Sequence, residues 1–288
     1  MRDIILVPCY ERPEFTRLCL QYLSHARGIE NKEVCLFIDN HKGKDFREIF
    51  EAQQPNLQLA ADLFPNRYFA SCQEAHESYG NSRNVVDALK FGYNIGAERV
   101  FLVEDDILVA PDFFSWHEAV LEEPSVFVSC STALSKSAHF QINGPQAMDE
   151  TYQDPAAYYL AEGPYSSNAV AFKRDNLGQL LSWFASEDRK WAPGYEQDLL
   201  TQQFLHVTKQ KSGWPFMPRA YNIGWYSYHI NTGRKFTGTL AEQSAAIERV
   251  IKDSYALRDV SANNSAVTPL PEHWPVRLDS VRNVQRLR

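Results

Sequence analysis

Apolar runs alternate with helical stripes along the first 131 residues. "IILVP" (4–8) is short, continuous and β-branched, the pattern of a strand buried on both faces. In "RPEFTRLCLQYLSHA" Pro13 suits a first helical turn, and Phe15, Leu18, Tyr22 and Leu23 recur at helical spacing. "EVCLFIDN" (33–40) reads as a second buried strand, and "KDFREIFEAQ" (44–53) as a short helix. Residues 55–74, punctuated by Pro55 and Pro65, read as irregular. Residues 82–98 show an amphipathic stripe of Val85, Leu89 and Tyr93, flanked by Val86 and Ala88. "RVFLVEDD" (99–106) predicts a third strand, "APDFFSWHEAVLEE" (110–123) a helix, and "SVFVSCS" (125–131) a fourth strand. Pro111 and Asp112 suit the start of that helix, Asp112 at the positive end of its dipole. This alternation predicts an α/β fold with a mostly parallel central sheet flanked by helices.

The pattern then changes. Residues 132–165 are rich in Ser, Gln, Asn, Pro and Tyr without a period, which predicts a functional loop or lid. A strand (166–174) and a helix (175–186) follow. "APGYEQDLLTQQFLHVTK" (192–209) reads as a loop, then a helix starting near Tyr195 or Glu196. Residues 213–233 suggest short strands and turns around a site, and 240–257 a late amphipathic helix. The last thirty or so residues read as an extended tail. No internal repeat or low-complexity tract occurs.

Composition narrows the picture. A chain of 288 residues that is 44% apolar and 23% charged has material for a sizeable core. A net charge of −7 disfavours nonspecific nucleic-acid binding, which needs a basic surface. The five cysteines are odd in number and form no CxxC pair, so neither a disulfide framework nor a zinc site is expected. No apolar run approaches transmembrane length, and the N-terminus reads as a strand rather than a signal peptide. These readings together predict a cytoplasmic protein.

The candidate chemistry lies at strand ends, where parallel α/β sheets bind ligands. The first strand ends in Pro8-Cys9-Tyr10-Glu11-Arg12, the second in Asp39-Asn40, and the third in Glu104-Asp105-Asp106. Three consecutive acids repel one another unless water or a cation compensates them. Adjacent aspartates suit a hard divalent cation such as Mg²⁺ or Mn²⁺, completed by water and phosphate. A solvated acidic turn or helix cap is the alternative.

Four stretches go further. "VFLVEDDILVAPDFFSW" resembles the acidic motif of GT-A glycosyltransferases, most specifically that of the animal N-acetylglucosaminyltransferase I group. "IILVPCYERPEFTRLCLQYL" is similar to that group's opening strand and helix, and "IDN" (38–40) to its second strand end. The resemblance spans residues 3–131. Beyond it, "NIGWYSYH" (222–229) resembles the close of many family-2-type enzymes. The resemblance implies a catalytic domain over 1–235, with 1–131 as its nucleotide-sugar-binding half, 132–165 as loop or lid, and 166–235 as its acceptor half. Residues 236–288 would add a C-terminal helix and tail.

Residue by residue, the resemblance implies that Asp106 coordinates a Mn²⁺ or Mg²⁺ bound to a UDP-sugar. Asp105 would reach the ribose or a metal-bound water, and Glu104 the sugar or nucleotide. Asp39 would accept a hydrogen bond from the uracil edge. Arg12 and Arg83 would contact the nucleotide or phosphates, with Pro8 and Tyr10 beside them; surface arginines are the alternative. His229 would be a second metal ligand or a diphosphate contact, against a structural histidine. Trp191, Trp214, Trp225 and Tyr226 offer sugar-stacking surfaces or core filling.

An inverting transfer also needs a general base. Glu196 is the first candidate and Asp198 the second, because residues two apart on a helix point in different directions. Gln197 between them departs from the family pattern, and both acids also suit a helix N-terminus electrostatically. The expected activity is metal-dependent transfer of a sugar from a UDP-sugar to an acceptor hydroxyl. GlcNAc is suggested as the sugar, with glucose and galactose open. The acceptor is left open among a glycan, a lipid-linked saccharide, a protein, a small molecule and a modified nucleobase. A non-catalytic nucleotide-sugar-binding protein and a metal-dependent phosphatase or nuclease are the alternatives.

Overall fold

The computed structural model describes residues 2–10, 12–40, 45–72, 82–131, 157–186, 197–215, 219–222 and 284–286. The late helix expected at 240–257 lies outside these residues, as does most of the tail.

The first strand, β1 (Asp3–Cys9), is buried along its whole length. It pairs in parallel with β2 (Lys32–Ile38) on one side and β4 (Arg99–Val103) on the other. Beyond β2 lies β3 (Tyr68–Cys72). Next to β4 comes β8 (Ala169–Lys173), antiparallel, then β6 (Val126–Cys130), β9 (Lys211–Pro215), β7 (Ala157–Glu162) and β11 (Val284–Arg286). Followed through the pairings, β3, β2, β1, β4, β6, β9 and β11 run one way, and β8 and β7 run against them. The sheet is therefore mostly parallel, as the alternation predicts. A small second sheet joins β5 (Ile107–Val109) to β10 (Ala220–Asn222).

Helices cover both faces. Ile5, Val7 and Cys9 of β1 pack with α1 (Pro13–Ser24), α2 (Phe46–Leu63) and α4 (Phe113–Leu121). Ile4 and Leu6 face the opposite layer of α3 (Ser82–Asn94), α5 (Arg174–Ser186) and α6 (Gln197–Thr208). Gly92 lets α3 lie close, since a Cβ there would stand 3.1 Å from Leu6 Cδ1 and 3.2 Å from Val100 Cγ2.

Five elements differ from the sequence reading. The short helix expected at 44–53 continues through Pro55 to Leu63. Its buried stripe is Ile49, Gln53, Asn56 and Ala60, a helical period half made of polar residues. Gln53 Nε2 donates to the Tyr10 carbonyl and Asn56 Nδ2 to the Pro13 carbonyl, both at 2.8 Å. These contacts hold the helix against the cost of an internal proline. The 55–74 stretch read as irregular thus supplies half of α2 and all of β3. At the other end of the sheet, β7 falls inside the stretch read as loop, and β11, within the expected tail, pairs with it. Finally, α3 stops at Asn94 because Gly96 turns the chain at φ +83°.

Candidate active site

Strand order decides where a site can form. From β1 the chain moves outward through β2 and β3, while β4 returns to β1's other side. The gap between β1 and β4 is therefore the topological switch point, where open α/β sheets bind ligands at their carboxyl ends. Pairing of β1 with β4 stops at Leu6 opposite Leu102. Pro8 lies beyond it, where its missing N–H removes no rung on that side.

Arg12 emerges at the end of β1 and Glu104-Asp105-Asp106 at the end of β4. Arg12 is the N-cap of α1, with non-helical φ −117° and ψ 66° and Pro13 behind it. Its guanidinium reaches across the gap. Nη1 donates to Asp106 Oδ2 at 2.8 Å, and Nη2 donates to Asp105 Oδ1. The Phe15 ring lies under it at 5.4 Å. Burial opposes the charge on Arg12, but Asp105 and Asp106 outweigh it and hold its pKa above the ordinary arginine range.

The three acids are buried: Glu104 is 9%, Asp105 3% and Asp106 6% exposed. That excludes a solvated acidic turn. Burial lifts the Asp105 carboxyl to about 7; Arg12 opposes the rise and Asp106 adds to it. Burial also lifts Glu104 to about 8, with Asp106 and Asp198 raising it further and the Ser167 hydroxyl, which donates to Glu104 Oε1, acting against them. Asp198, the second residue of α6, accepts from Gln197 Nε2 at 2.5 Å. Asp39 is buried at the end of β2, its N–H donating to the Cys9 carbonyl at 3.0 Å.

Tyr10 is half-buried beside Arg12, with its carbonyl committed to Gln53. Arg83 lies in the first turn of α3, where Nε pairs with Asp87 at 2.5 Å. Trp214 is buried and donates to Ser212 Oγ at 2.6 Å, so it fills the core. Glu196, His229, Trp191, Trp225 and Tyr226 lie outside the described residues. Cys9 and Cys19 are buried free thiols whose pKa values burial pushes well up, so both act as hydrophobes.

Sequence reasoning missed a second set of polar groups at this end of the sheet. The insertion of antiparallel β8 beside β4 brings 165–168 against the acids; the Glu104 N–H donates to the Asn168 carbonyl at 3.1 Å. The first turns of α3 and α6 also meet, the Gln197 N–H donating to Ser82 Oγ at 3.2 Å. Asp106 Oδ1, Gln197 Oε1, Asn84 Oδ1 and the Tyr165 hydroxyl are buried here without a hydrogen-bond partner. Native proteins leave few such atoms unpaired, and a ligand is one explanation. One signal was present: "SSN" precedes an apolar strand as "EDD" follows one, and antiparallel neighbours bring such runs together.

A Mn²⁺ or Mg²⁺ ion fits this donor set. Asp106 Oδ1 is a buried carboxylate oxygen with a coordination position to offer. Among the described residues no group of three His, Cys, Asp or Glu side chains is arranged to hold a metal. A hard cation that takes one or two carboxylates and completes its shell with water and phosphate needs no such group. A separate cavity of about 350 Å³ lies at the opposite end of the strands, lined by Arg67, Tyr68, Phe69 and Phe91 among others. Its arginines are committed: Arg2 to Glu33 at 2.8 Å, and Arg67 to the Lys32 carbonyl at 3.0 Å.

No protein-family profile and no curated protein sequence matches the chain. Solved structures do. S. aureus TarS 1-349 superposes with a TM-score of 0.51 at 13% identity, over 93% of this chain and 73% of that one. The fold is of the GT-A type. The same TarS fragment in complex with UDP-GlcNAc matches at TM-score 0.51 and 14% identity, over 91% of this chain and 72% of that one. The GT-A sheet thus carries its buried acids at the switch point. Among the described residues no helix is long and apolar enough to cross a membrane.

Proposed function

We propose that the chain is a glycosyltransferase that moves a sugar from a UDP-sugar to an acceptor hydroxyl. The observation that carries this reading is the buried acid cluster at the β1/β4 switch point, with one Asp106 oxygen unpaired. The sequence resemblance to the N-acetylglucosaminyltransferase I group supports it, as does the likeness to a protein solved with UDP and with UDP-GlcNAc.

In this reading Asp39 accepts from the uracil ring, and Arg12 and Arg83 face the diphosphate, with Pro8 and Tyr10 shaping the entrance. Asp106 holds the Mn²⁺ or Mg²⁺, with His229 as its proposed second ligand. When bound, that ion neutralises charge developing on the leaving diphosphate. Asp105 orients the ribose. The sugar lies against Glu104, Tyr165 and Gln197, whose unpaired or protonated oxygens suit hydroxyl groups rather than phosphate.

Asp198 is the proposed general base, favoured because its charge is felt by both Glu104 and Tyr165. Glu196, the first candidate from sequence, remains the alternative. The acceptor oxygen bonds to the anomeric carbon while its proton passes to the carboxylate. The bond from that carbon to the diphosphate breaks, and its electron pair leaves with the diphosphate. Attack from the opposite face inverts the centre. The segment 132–165, read from sequence as a loop or lid, and the aromatic stretch after 213 are proposed to select the acceptor.

The test is a panel of UDP- and GDP-sugars, with and without Mn²⁺, scored for thermal stabilisation and slow donor hydrolysis. A bound donor must raise stability by mass action. Stabilisation and hydrolysis with a UDP-sugar are expected; stabilisation without any turnover favours the non-catalytic binding protein. No response to any nucleotide sugar contradicts the reading.

A further inference from the structure

The acids were expected to be neutralised by a metal, but the structure already places a cation on them. We propose that Arg12 is the resident counter-ion of the Asp105–Asp106 pair, and that a divalent cation binds Asp106 only in exchange for it. The proposal rests on the donor-site reading for its biological purpose. Its physical content stands on geometry alone.

Arg12 bonds both aspartates at once, Nη1 on Asp106 Oδ2 at 2.8 Å and Nη2 on Asp105 Oδ1. The fork matches two carboxylates at fixed spacing, which a single ammonium does not. Two buried acids in sequence need such a partner whenever no ligand is present. Arg12 therefore explains how the ligand-free chain keeps them out of water.

The arrangement is asymmetric. The aspartate side chains are 4% and 9% exposed, whereas the Arg12 side chain is 26% exposed. The acids are fixed at the end of β4, and the arginine is the more exposed partner. Its backbone is anchored at the β1–α1 junction by Pro13 and by the Phe15 and Thr16 N–H groups, which donate to its carbonyl at 3.1 Å. Movement is thus confined to the side chain. Asp106 presents its other oxygen, Oδ1, buried and unpartnered. A divalent ion there would stand within one carboxylate's width of the guanidinium. Like charges at that separation in a poorly solvated site repel strongly. A metal therefore displaces Arg12 rather than joining it. The released guanidinium is then placed for a diphosphate, whose oxygens it binds in the same fork geometry.

The exchange predicts that removing the arginine charge strengthens metal binding. Mn²⁺ binding is measured without nucleotide, as loss of the free-ion electron paramagnetic resonance signal, for the full chain and for Arg12→Gln and Arg12→Lys. Arg12→Gln is expected to bind Mn²⁺ about tenfold tighter or more, with Arg12→Lys between it and the parent. Equal or weaker binding by Arg12→Gln overturns the proposal, as does the absence of Mn²⁺ binding in both. If circular dichroism shows Arg12→Gln unfolded, Arg12→Lys decides, and an affinity no higher than the parent's overturns the exchange. UDP titrated into the same samples separates the two ideas. Failure of UDP to stabilise the parent sinks the donor reading and leaves the Mn²⁺ comparison unaffected.

Discussion

The two ends of the central sheet both carry buried charge, and they handle it in opposite ways. Where the strands begin, Asp3, Lys32, Arg99 and Glu118 form a balanced group. Lys32 Nζ reaches Asp3 at 3.2 Å and Glu118 at 2.6 Å, while Arg99 reaches Asp3 at 2.8 Å and Glu118 at 3.5 Å. The Lys32 ammonium also sits over the rings of Phe101 at 5.2 Å and Phe114 at 5.0 Å. Where the strands end, Glu104, Asp105, Asp106 and Asp198 influence one another, and Arg12 pairs with Asp105 and Asp106. The first group is closed, every charge answered within the fold. The second is acid-rich and keeps a buried oxygen unused. Burial of charge by itself does not mark a functional site; the imbalance does.

The comparison can be broken at four points. The largest effect is expected at Asp198. Asp198→Asn should lower transfer about a thousandfold while donor-induced stabilisation persists; steady-state kinetics beside thermal shift checks both halves. If turnover survives, Glu196 takes over as the proposed base. Next, Lys32→Met should destabilise the fold by about 2 kcal/mol in denaturant melts, because Asp3 and Glu118 lose a charged hydrogen-bond donor while Arg99 stays on Asp3. UDP binding by the fraction that remains folded should not change. A loss of binding as large as the loss of stability would mean the two ends are not separate.

The third effect is in pH. Asp105 and Glu104 sit at about 7 and 8 in the fold, above the ordinary values of 3.8 and 4.5. The folded state therefore holds protons that the unfolded chain has already lost between those values. Stability is fullest at the acidic end of that window and falls as pH rises through about 8. The ligand-free chain should lose a few degrees of Tm between pH 5 and 8, and Glu104→Gln should flatten the slope. Smallest is Tyr165→Phe. Its hydroxyl has no partner, so the Tm should hold. The KM for donor should rise about three- to tenfold, the worth of one hydrogen bond. An unchanged KM removes Tyr165 from the sugar site.

Much of this could be read from the residues. β1, β2 and β4 are continuous apolar runs, legible because strands buried on both faces admit little else. Their polar endings marked Arg12, Asp39 and Glu104-Asp105-Asp106 at one edge. Less visible was α2, since Gln53 and Asn56 occupy its buried stripe and hide it from a search for apolar period. The pairing of Arg12 with Asp105 and Asp106 was also out of reach. It spans 94 residues of chain and depends on β4 crossing to the far side of β1. Tyr165 and Ser167 were hidden for the same reason: only the antiparallel insertion of β8 puts them beside the acids. Sequence period reports burial of an element, not which strand ends become neighbours.

The most direct measurement is a crystal of the full chain grown with UDP and Mn²⁺, with the ion located by its anomalous scattering. The account predicts Mn²⁺ bound to Asp106 through Oδ1, the diphosphate on its far side, and the Arg12 guanidinium turned away from Asp106 onto phosphate. Nucleotide bound elsewhere, or Arg12 still bridging Asp105 and Asp106 with no ion beside them, would contradict it.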